Sequence, residues 1–331
     1  MTPAALRDAV ARFPVLPFVH APTPVEPLPR LREALGGGPR LLIKRDDAIA
    51  FGFGGNKVRK LALVAARAQA DGADTLITAG GVQSNHARVT AAAAAKLGMR
   101  AVLVANGARP ERPTANALLG RLLGAEVVYV SAREERAPKM DEIADRLRRA
   151  GQQPFTIPIG ASTPLGALGY VRALLELLDQ IPAPDVIVHS TSSGGTQAGL
   201  VAGCRLLGLP TRVVGISADE PAAVLQSHIG ALVNGIADLL EAGDQVALHL
   251  SRMDSATIDV DDRFVGDGYG IPTEASREAI DLAAGYEAIF LDPTYTAKAM
   301  AGLIARIRAR TFADAETVLF WHTGGQVALF A

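Results

Sequence analysis

The segment Thr75-Leu76-Ile77-Thr78-Ala79-Gly80-Gly81-Val82-Gln83-Ser84-Asn85-His86 passes from a short apolar and β-branched run, through two glycines, into an alanine-rich stretch that ends at Leu97. Thr75 to Thr78, bounded by turn formers, reads as a buried strand, and Asn85 to Leu97 reads as a helix. Downstream, Ala101 to Val104 and Val127 to Val130 repeat the strand pattern, while Thr114 to Leu123 and Met140 to Arg149 repeat the helical one. Strands alternating with helices pair in parallel, because the return to a parallel neighbour needs a long crossover that a helix supplies. Upstream, Leu41 to Lys44 reads as a strand and Lys57 to Ala70 as a helix, with a glycine-dense loop between them. A second series runs Val186 to Val188, Gly195 to Leu207 and Arg212 to Ile216, and resumes with Ile289 to Leu291, Ala297 to Arg308 and Val318 to Phe320. The expected fold is α/β, with two open twisted, mainly parallel sheets flanked by helices. Gly235 to Arg263, charged and weakly periodic, is expected to hold a helix and a surface connection without chemistry.

A length of 331 residues corresponds to about two domains. Lys plus Arg number 33 against 34 for Asp plus Glu, so no basic excess exists to neutralise nucleic acid or an anionic membrane surface. Cys204 is the single cysteine, which excludes an internal disulfide framework and fits a reducing compartment, so a cytoplasmic protein is expected. Arg7, Asp8, Arg12 and the prolines from Pro14 to Pro29 interrupt any apolar core of an export signal, and no run of about 18 apolar residues predicts a membrane span. The histidines show no metal-ligand spacing, and no metal is expected.

In open parallel sheets ligands bind beyond the carboxyl ends of the strands. That rule places the site on the loops Ala79 to His86, His189 to Thr196, Asp292 to Thr296 and Trp321 to Gly325. Ser193-Gly194-Gly195-Thr196 opens a helix with unhindered N–H groups and hydroxyls, which suits a phosphate cradle and equally suits an ordinary glycine turn. Gly52-Phe53-Gly54-Gly55-Asn56-Lys57 is not a nucleotide P-loop, because Val58 stands where Ser or Thr is needed, and no G-x-G-x-x-G links a strand to a helix. Lys57 sits at a helix start, where the macrodipole disfavours its ammonium form, and a lysine of lowered pKa can form a Schiff base. Ser84 and Asn85 read either as helix caps or as a proton-relaying hydroxyl and a partner for a bound aromatic oxygen. Tyr269 and Tyr295 add two phenols.

Together, Gly54-Gly55-Asn56-Lys57-Val58-Arg59-Lys60, Gln83-Ser84-Asn85-His86-Ala87-Arg88, Ser193-Gly194-Gly195-Thr196-Gln197-Ala198-Gly199, Gly268-Tyr269-Gly270-Ile271-Pro272 and Leu291-Asp292-Pro293-Thr294-Tyr295 resemble the 1-aminocyclopropane-1-carboxylate (ACC) deaminase/D-cysteine desulfhydrase family. The resemblance covers nearly the whole chain, with the motifs in the family's order. It implies a pyridoxal 5′-phosphate (PLP) enzyme of fold type II. It divides the chain into a larger PLP-binding domain of residues 1–52 plus 162–331 and a smaller inserted α/β domain of residues 53–161, with the active site in the cleft between them. Lys57 would hold PLP and move the α-proton, Asn85 would bond the ring hydroxyl, and Ser193, Gly194, Gly195 and Thr196 would cradle the phosphate. Ser84, Tyr269 and Tyr295 match the family's catalytic serine and paired tyrosines.

ACC deaminases typically carry Gln, Glu and Leu where this chain has His86, Thr296 and Thr323. Desulfhydrase-type members carry His, a small hydroxyl residue and Thr, so the resemblance implies α,β-elimination, with D-cysteine the expected substrate. Thr296 and Thr323 are expected to leave the cofactor's pyridine nitrogen neutral, giving a weaker electron sink. L-cysteate sulfo-lyase and ACC deaminase are the alternatives, and a non-catalytic PLP-binding relative is a further one. The family also implies a homodimer acting on a small amino acid.

Overall fold

The computed structural model describes residues 1–244 and 251–331. Its strands are β1 (Val25–Pro27), β2 (Arg40–Arg45), β3 (Thr75–Gly81), β4 (Arg100–Asn106), β5 (Glu126–Val130), β6 (Pro154–Thr156), β7 (Val186–Thr191), β8 (Arg212–Ser217), β9 (Asp259–Asp261) and β10 (Thr317–His322). The helices are α1 (Pro3–Ala11), α2 (Pro29–Ala34), α3 (Asn56–Ala70), α4 (Asn85–Leu97), α5 (Ala115–Leu122), α6 (Arg136–Arg149), α7 (Pro164–Leu178), α8 (Gly195–Leu207), α9 (Ala222–Asp244), α10 (Glu274–Glu287) and α11 (Thr296–Arg308). One sheet has the order β1-β2-β10-β7-β8-β9 and the other β5-β4-β3-β6. Only the β1–β2 pair is antiparallel among the paired strands described.

Parallel strands covered on both faces read as continuous buried runs, and every residue of β7 is buried, as are the first six of β3. Leu28, Leu41, Ile43, Val188 and Val318 pack on one face of the larger sheet with Ala279 of α10 and Met300, Leu303 and Ile304 of α11. Its other face, with Leu42, Ile187 and Trp321, meets α7 and α8. In the smaller sheet, Leu76 and Leu103 pack with α3 and α4 on one side, and Ile77, Val102 and Val104 with α6 on the other.

One expected strand needs correction, and two further expectations gain detail. Ile289 to Leu291 is not a strand: Ala288 takes a left-handed φ of 55° to end α10, and the buried Ile289 and Leu291 serve as a short connector that packs into the core beneath α11. A three-residue apolar run fits both readings, and only the absence of a strand partner separates them. The region beginning at Gly235 is the second half of α9, a 23-residue helix, and within the rest of it the structure adds the short strand β9; residues 245–250 lie outside the described residues. Ala222–Ala242 is long and apolar enough to cross a membrane by length and composition. Its Leu225, Ile229, Leu232, Val233, Ile236 and Leu240 pack against α7 and α8, which accounts for the apolar composition as one face of a core helix.

The carboxyl ends of β3, β7, β8 and β10 and the first turns of α3, α4 and α8 meet at one cavity, to which residues from both sheets contribute.

Candidate active site

The loop before α3 is shaped by glycines that no other residue replaces. Gly54 and Gly55 take φ of 69° and 97°, and a Cβ on Gly55 would lie 2.9 Å from the Thr323 carbonyl oxygen. Facing them, a Cβ on Gly324 would lie 2.5 Å from the Gly55 Cα. This close approach lets Asn56 N–H donate to Thr323 O at 2.9 Å, and Arg88 of α4 clamps the loop by donating to Gly54 O at 2.8 Å. Lys57 is thereby presented in the first turn of α3, on the cavity wall. Burial pushes its amine down to about 8, against opposing pulls from Asp219 and from a hydrogen bond with Lys60.

Lys60, one turn further along α3, is fully buried and donates to Ser162 Oγ at 3.0 Å. Ser162 Oγ donates to Ser193 Oγ at 2.9 Å and accepts the Gly195 N–H at 3.2 Å. Asn56 Nδ2 donates to Thr196 Oγ1 at 3.0 Å. No carboxylate pairs with Lys60 among the described residues, and burial, reinforced by the charge of Lys57, holds its amine well below the ordinary lysine range. The first turn of α8, with Gly194 at φ 75°, lies against this lysine. Two hydroxyls, a helix N-terminus and a buried lysine amine, whose charged form a bound anion would favour, form an anion cradle.

Across the cavity, Ser84 caps α4 by accepting the Ala87 N–H at 3.2 Å, and it also lines the cavity. Asn85 Oδ1 accepts from Asn116 Nδ2 at 2.9 Å, which fixes its amide with Nδ2 free to donate. Thr78 Oγ1 donates to Ile157 O and so accepts from His86 Nε2 at 2.8 Å, orienting that ring. The Tyr269 and Tyr295 hydroxyls are 2.7 Å apart. Burial raises the pKa of both phenols, so both stay protonated. Arg133 donates to Asp219 Oδ2 at 3.0 Å, and its Cζ stands 5.8 Å from the Tyr269 ring centroid. Arg136 also lines the cavity, held by the Arg133 carbonyl at 2.9 Å, with no carboxylate partner among the described residues.

Of the residues singled out by sequence, the cavity gathers Lys57, Ser84, Asn85, Ser193, Gly194, Thr196, Tyr269, Tyr295 and Thr323. Gly195 lies just behind the wall; a Cβ there would come within 2.9 Å of Lys60 Nζ. Thr296 is a correction. It is fully buried outside the cavity lining, and its hydroxyl donates to Asp292 Oδ1 and accepts the Asp292 N–H, both at 2.7 Å, closing the first turn of α11. Its hydroxyl is therefore committed to the fold, and only Thr323 of the pair faces the cavity. The sequence reading missed Lys60, Ser162, Asp219, Arg133 and Arg136. Lys60 was within reach, since three residues after Lys57 is the same helix face, and Asp219 follows the end of β8 just as the other loops follow their strands.

The set fits PLP: an amine of lowered pKa, an anion cradle one helix turn away, and an amide donor for a ring hydroxyl. Thr191 Oγ1 and Asp219 Oδ1 line the same cavity, both buried and without a hydrogen-bond partner.

Comparison with known proteins agrees. The family model described as pyridoxal-phosphate dependent enzyme matches residues 16–324. The D-cysteine desulfhydrase of Klebsiella pneumoniae (strain 342) is 41% identical over 97% of both chains, and that of Salmonella typhimurium is 40% identical over 97% of both. A solved ACC deaminase homologue superposes with a TM-score of 0.88 at 36% identity, covering 98% of this chain and 96% of its own. The chain is a member of the pyridoxal-phosphate dependent enzymes of fold type II, in the ACC deaminase/D-cysteine desulfhydrase family, with pyridoxal 5′-phosphate as its cofactor.

Proposed function

We propose that this chain catalyses α,β-elimination on a small amino acid, converting D-cysteine and water to pyruvate, hydrogen sulfide and ammonia. The observation that carries this reading is the meeting of Lys57, Ser84 and the Tyr269–Tyr295 pair on one cavity, in a chain similar along its length to proteins named D-cysteine desulfhydrase.

PLP, when bound, supplies an electron sink for the α-carbon. Lys57 would hold it, and its free amine, with a pKa of about 8, is a competent base near neutral pH for the substrate's α-proton. Asn85 Nδ2 would donate to the ring hydroxyl, Ser193 through Thr196 would hold the phosphate, and Lys60 would face its charge. The Ser84 hydroxyl relays a proton at the substrate. Tyr269 and Tyr295, kept protonated, hand a proton to the departing sulfur. Thr323 would offer the pyridine nitrogen a neutral hydroxyl and not a carboxylate, which suits elimination. We further take residues 1–52 plus 162–331 and 53–161 as two domains whose cleft is this site, and the protein as a cytoplasmic homodimer with neither nucleic-acid nor membrane partners. Sedimentation as a monomer at working concentration would remove the dimer from this reading.

A second reading, L-cysteate sulfo-lyase, is favoured by Arg136, a cavity-lining guanidinium without a carboxylate partner, which suits a sulfonate. A substrate panel on PLP-loaded protein separates the two: D- and L-cysteine, D- and L-cysteate, β-chloro-D-alanine and ACC, following sulfide, sulfite, pyruvate and 2-oxobutyrate. Sulfide and pyruvate from D-cysteine, abolished by Lys57→Ala, is the expected result. Sulfite from L-cysteate selects the second reading, 2-oxobutyrate from ACC selects the deaminase, and turnover of none marks a non-catalytic relative.

A further inference from the structure

Lys298, in the first turn of α11, has a side chain with no exposure to solvent. Its ammonium donates to three backbone carbonyls: Val265 O at 2.8 Å, Gly268 O at 2.8 Å and Ala218 O at 3.2 Å. Three donors meet three acceptors, so the group is fully satisfied without a carboxylate, and none pairs with it among the described residues. Asp219 and Asp292 act on it through a longer-range field. The carbonyls come from separate segments. Ala218 precedes Asp219 at the end of β8. Val265 and Gly268 belong to the loop that carries Tyr269, and Lys298 itself stands three residues after Tyr295. A cation ringed by carbonyl oxygens that gathers loops at a cavity edge is the arrangement by which a bound monovalent ion organises backbone.

We propose that Lys298 is a built-in monovalent cation: its ammonium occupies a carbonyl-lined ion position and holds the Asp219 and Tyr269 segments in the geometry the cavity requires. It is a positioning residue, acting through Tyr269 and Asp219 rather than on substrate. The catalytic part of this inference rests on the proposed elimination, whereas the ion position itself does not.

The test replaces the tethered ion by a free one. Lys298→Met keeps the aliphatic stem and vacates the Nζ position. Wild type is expected to show the same melting temperature and the same elimination rate in sodium, potassium, ammonium and tetramethylammonium chloride at equal ionic strength. Lys298→Met in tetramethylammonium chloride is expected to melt earlier and to lose about 100-fold in kcat, the scale of a misplaced catalytic group. Ammonium or potassium is expected to restore both quantities saturably, and tetramethylammonium is not. Should the variant fail to fold in tetramethylammonium, refolding in ammonium chloride is the corresponding gain. Stimulation of wild type by potassium, or a variant that folds in none of these salts or responds equally to all, overturns the proposal. The melting-temperature arm uses no substrate, so rescue of folding without any turnover would indict the elimination reading and leave the ion position standing.

Discussion

Lys57 shows how one residue acquires its chemistry from its neighbours. Its position at a helix start already disfavours the ammonium, but the larger effect is burial, which outweighs the opposing pulls of Asp219 and Lys60 and brings its pKa to about 8. In cofactor-free protein, acylation of Lys57 followed by peptide mapping is expected to rise with pH through about 8 and then level off. A rate still climbing towards the ordinary lysine value of 10.5 would refute the burial argument. The two tyrosines shift the opposite way for the same reason, because burial always disfavours the charged form.

At the scale of elements, two of the three glycines of α8 have different duties. A Cβ on Gly195 would come within 2.7 Å of Ser162 Oγ and 2.9 Å of Lys60 Nζ, side-chain ends that can yield, and 3.1 Å from Ser162 Cα, which a shift of a few tenths of an ångström relieves. Gly195→Ala is expected to fold with near wild-type stability and to hold PLP about tenfold more weakly, a loss of about 1.4 kcal/mol. Gly199 instead faces α7, where a Cβ would lie 2.2 Å from the Ala167 carbonyl oxygen. Backbone does not yield cheaply, so Gly199→Ala is expected to lose about 1–3 kcal/mol of folding stability. Urea unfolding alongside cofactor titration of both variants checks the pair; equal stability loss in the two would show that the cradle at Gly195 is no softer than the helix contact.

At the scale of the whole molecule, a buried ionic network ties α3 to the larger sheet. Asp46 accepts from Arg59 of α3, from the Tyr170 hydroxyl of α7 at 2.6 Å and from Trp321 Nε1 of β10 at 2.8 Å. Glu176 of α7 accepts from Arg59 and Lys44 at 2.8 and 2.6 Å. Burial alone would raise the Glu176 carboxyl, yet the hydrogen bonds and charges of Arg59 and Lys44 prevail and hold it at about 2, below its ordinary 4.5. A carboxylate depressed in the folded state stabilises fully above pH 4.5, and that contribution fades as pH falls towards about 2. At about 1.4 kcal/mol per tenfold change in proton affinity, its size is on the order of 3 kcal/mol. Glu176→Gln is therefore expected to be less stable than wild type at pH 7, with the gap closing between pH 4.5 and 2. A gap that stays constant across that range would sink the assignment.

Sequence by itself determined the parallel α/β class and three of the four strand-end loops, because hydrophobic periodicity and glycine placement are local signals set by backbone geometry. Asn85 to Leu97 and Gly195 to Leu207 were legible as helices to the residue. What only tertiary structure decided was which polar groups share a space. Thr296 and Thr323 read alike in sequence, yet the hydroxyl of the first is consumed by Asp292 while the second lines the cavity. Lys60, Ser162, Asp219 and Lys298 gain their meaning from partners as far as 102 residues away in the chain. Burial and pairing are properties of assembled elements, and the periodicity of any single element does not record them.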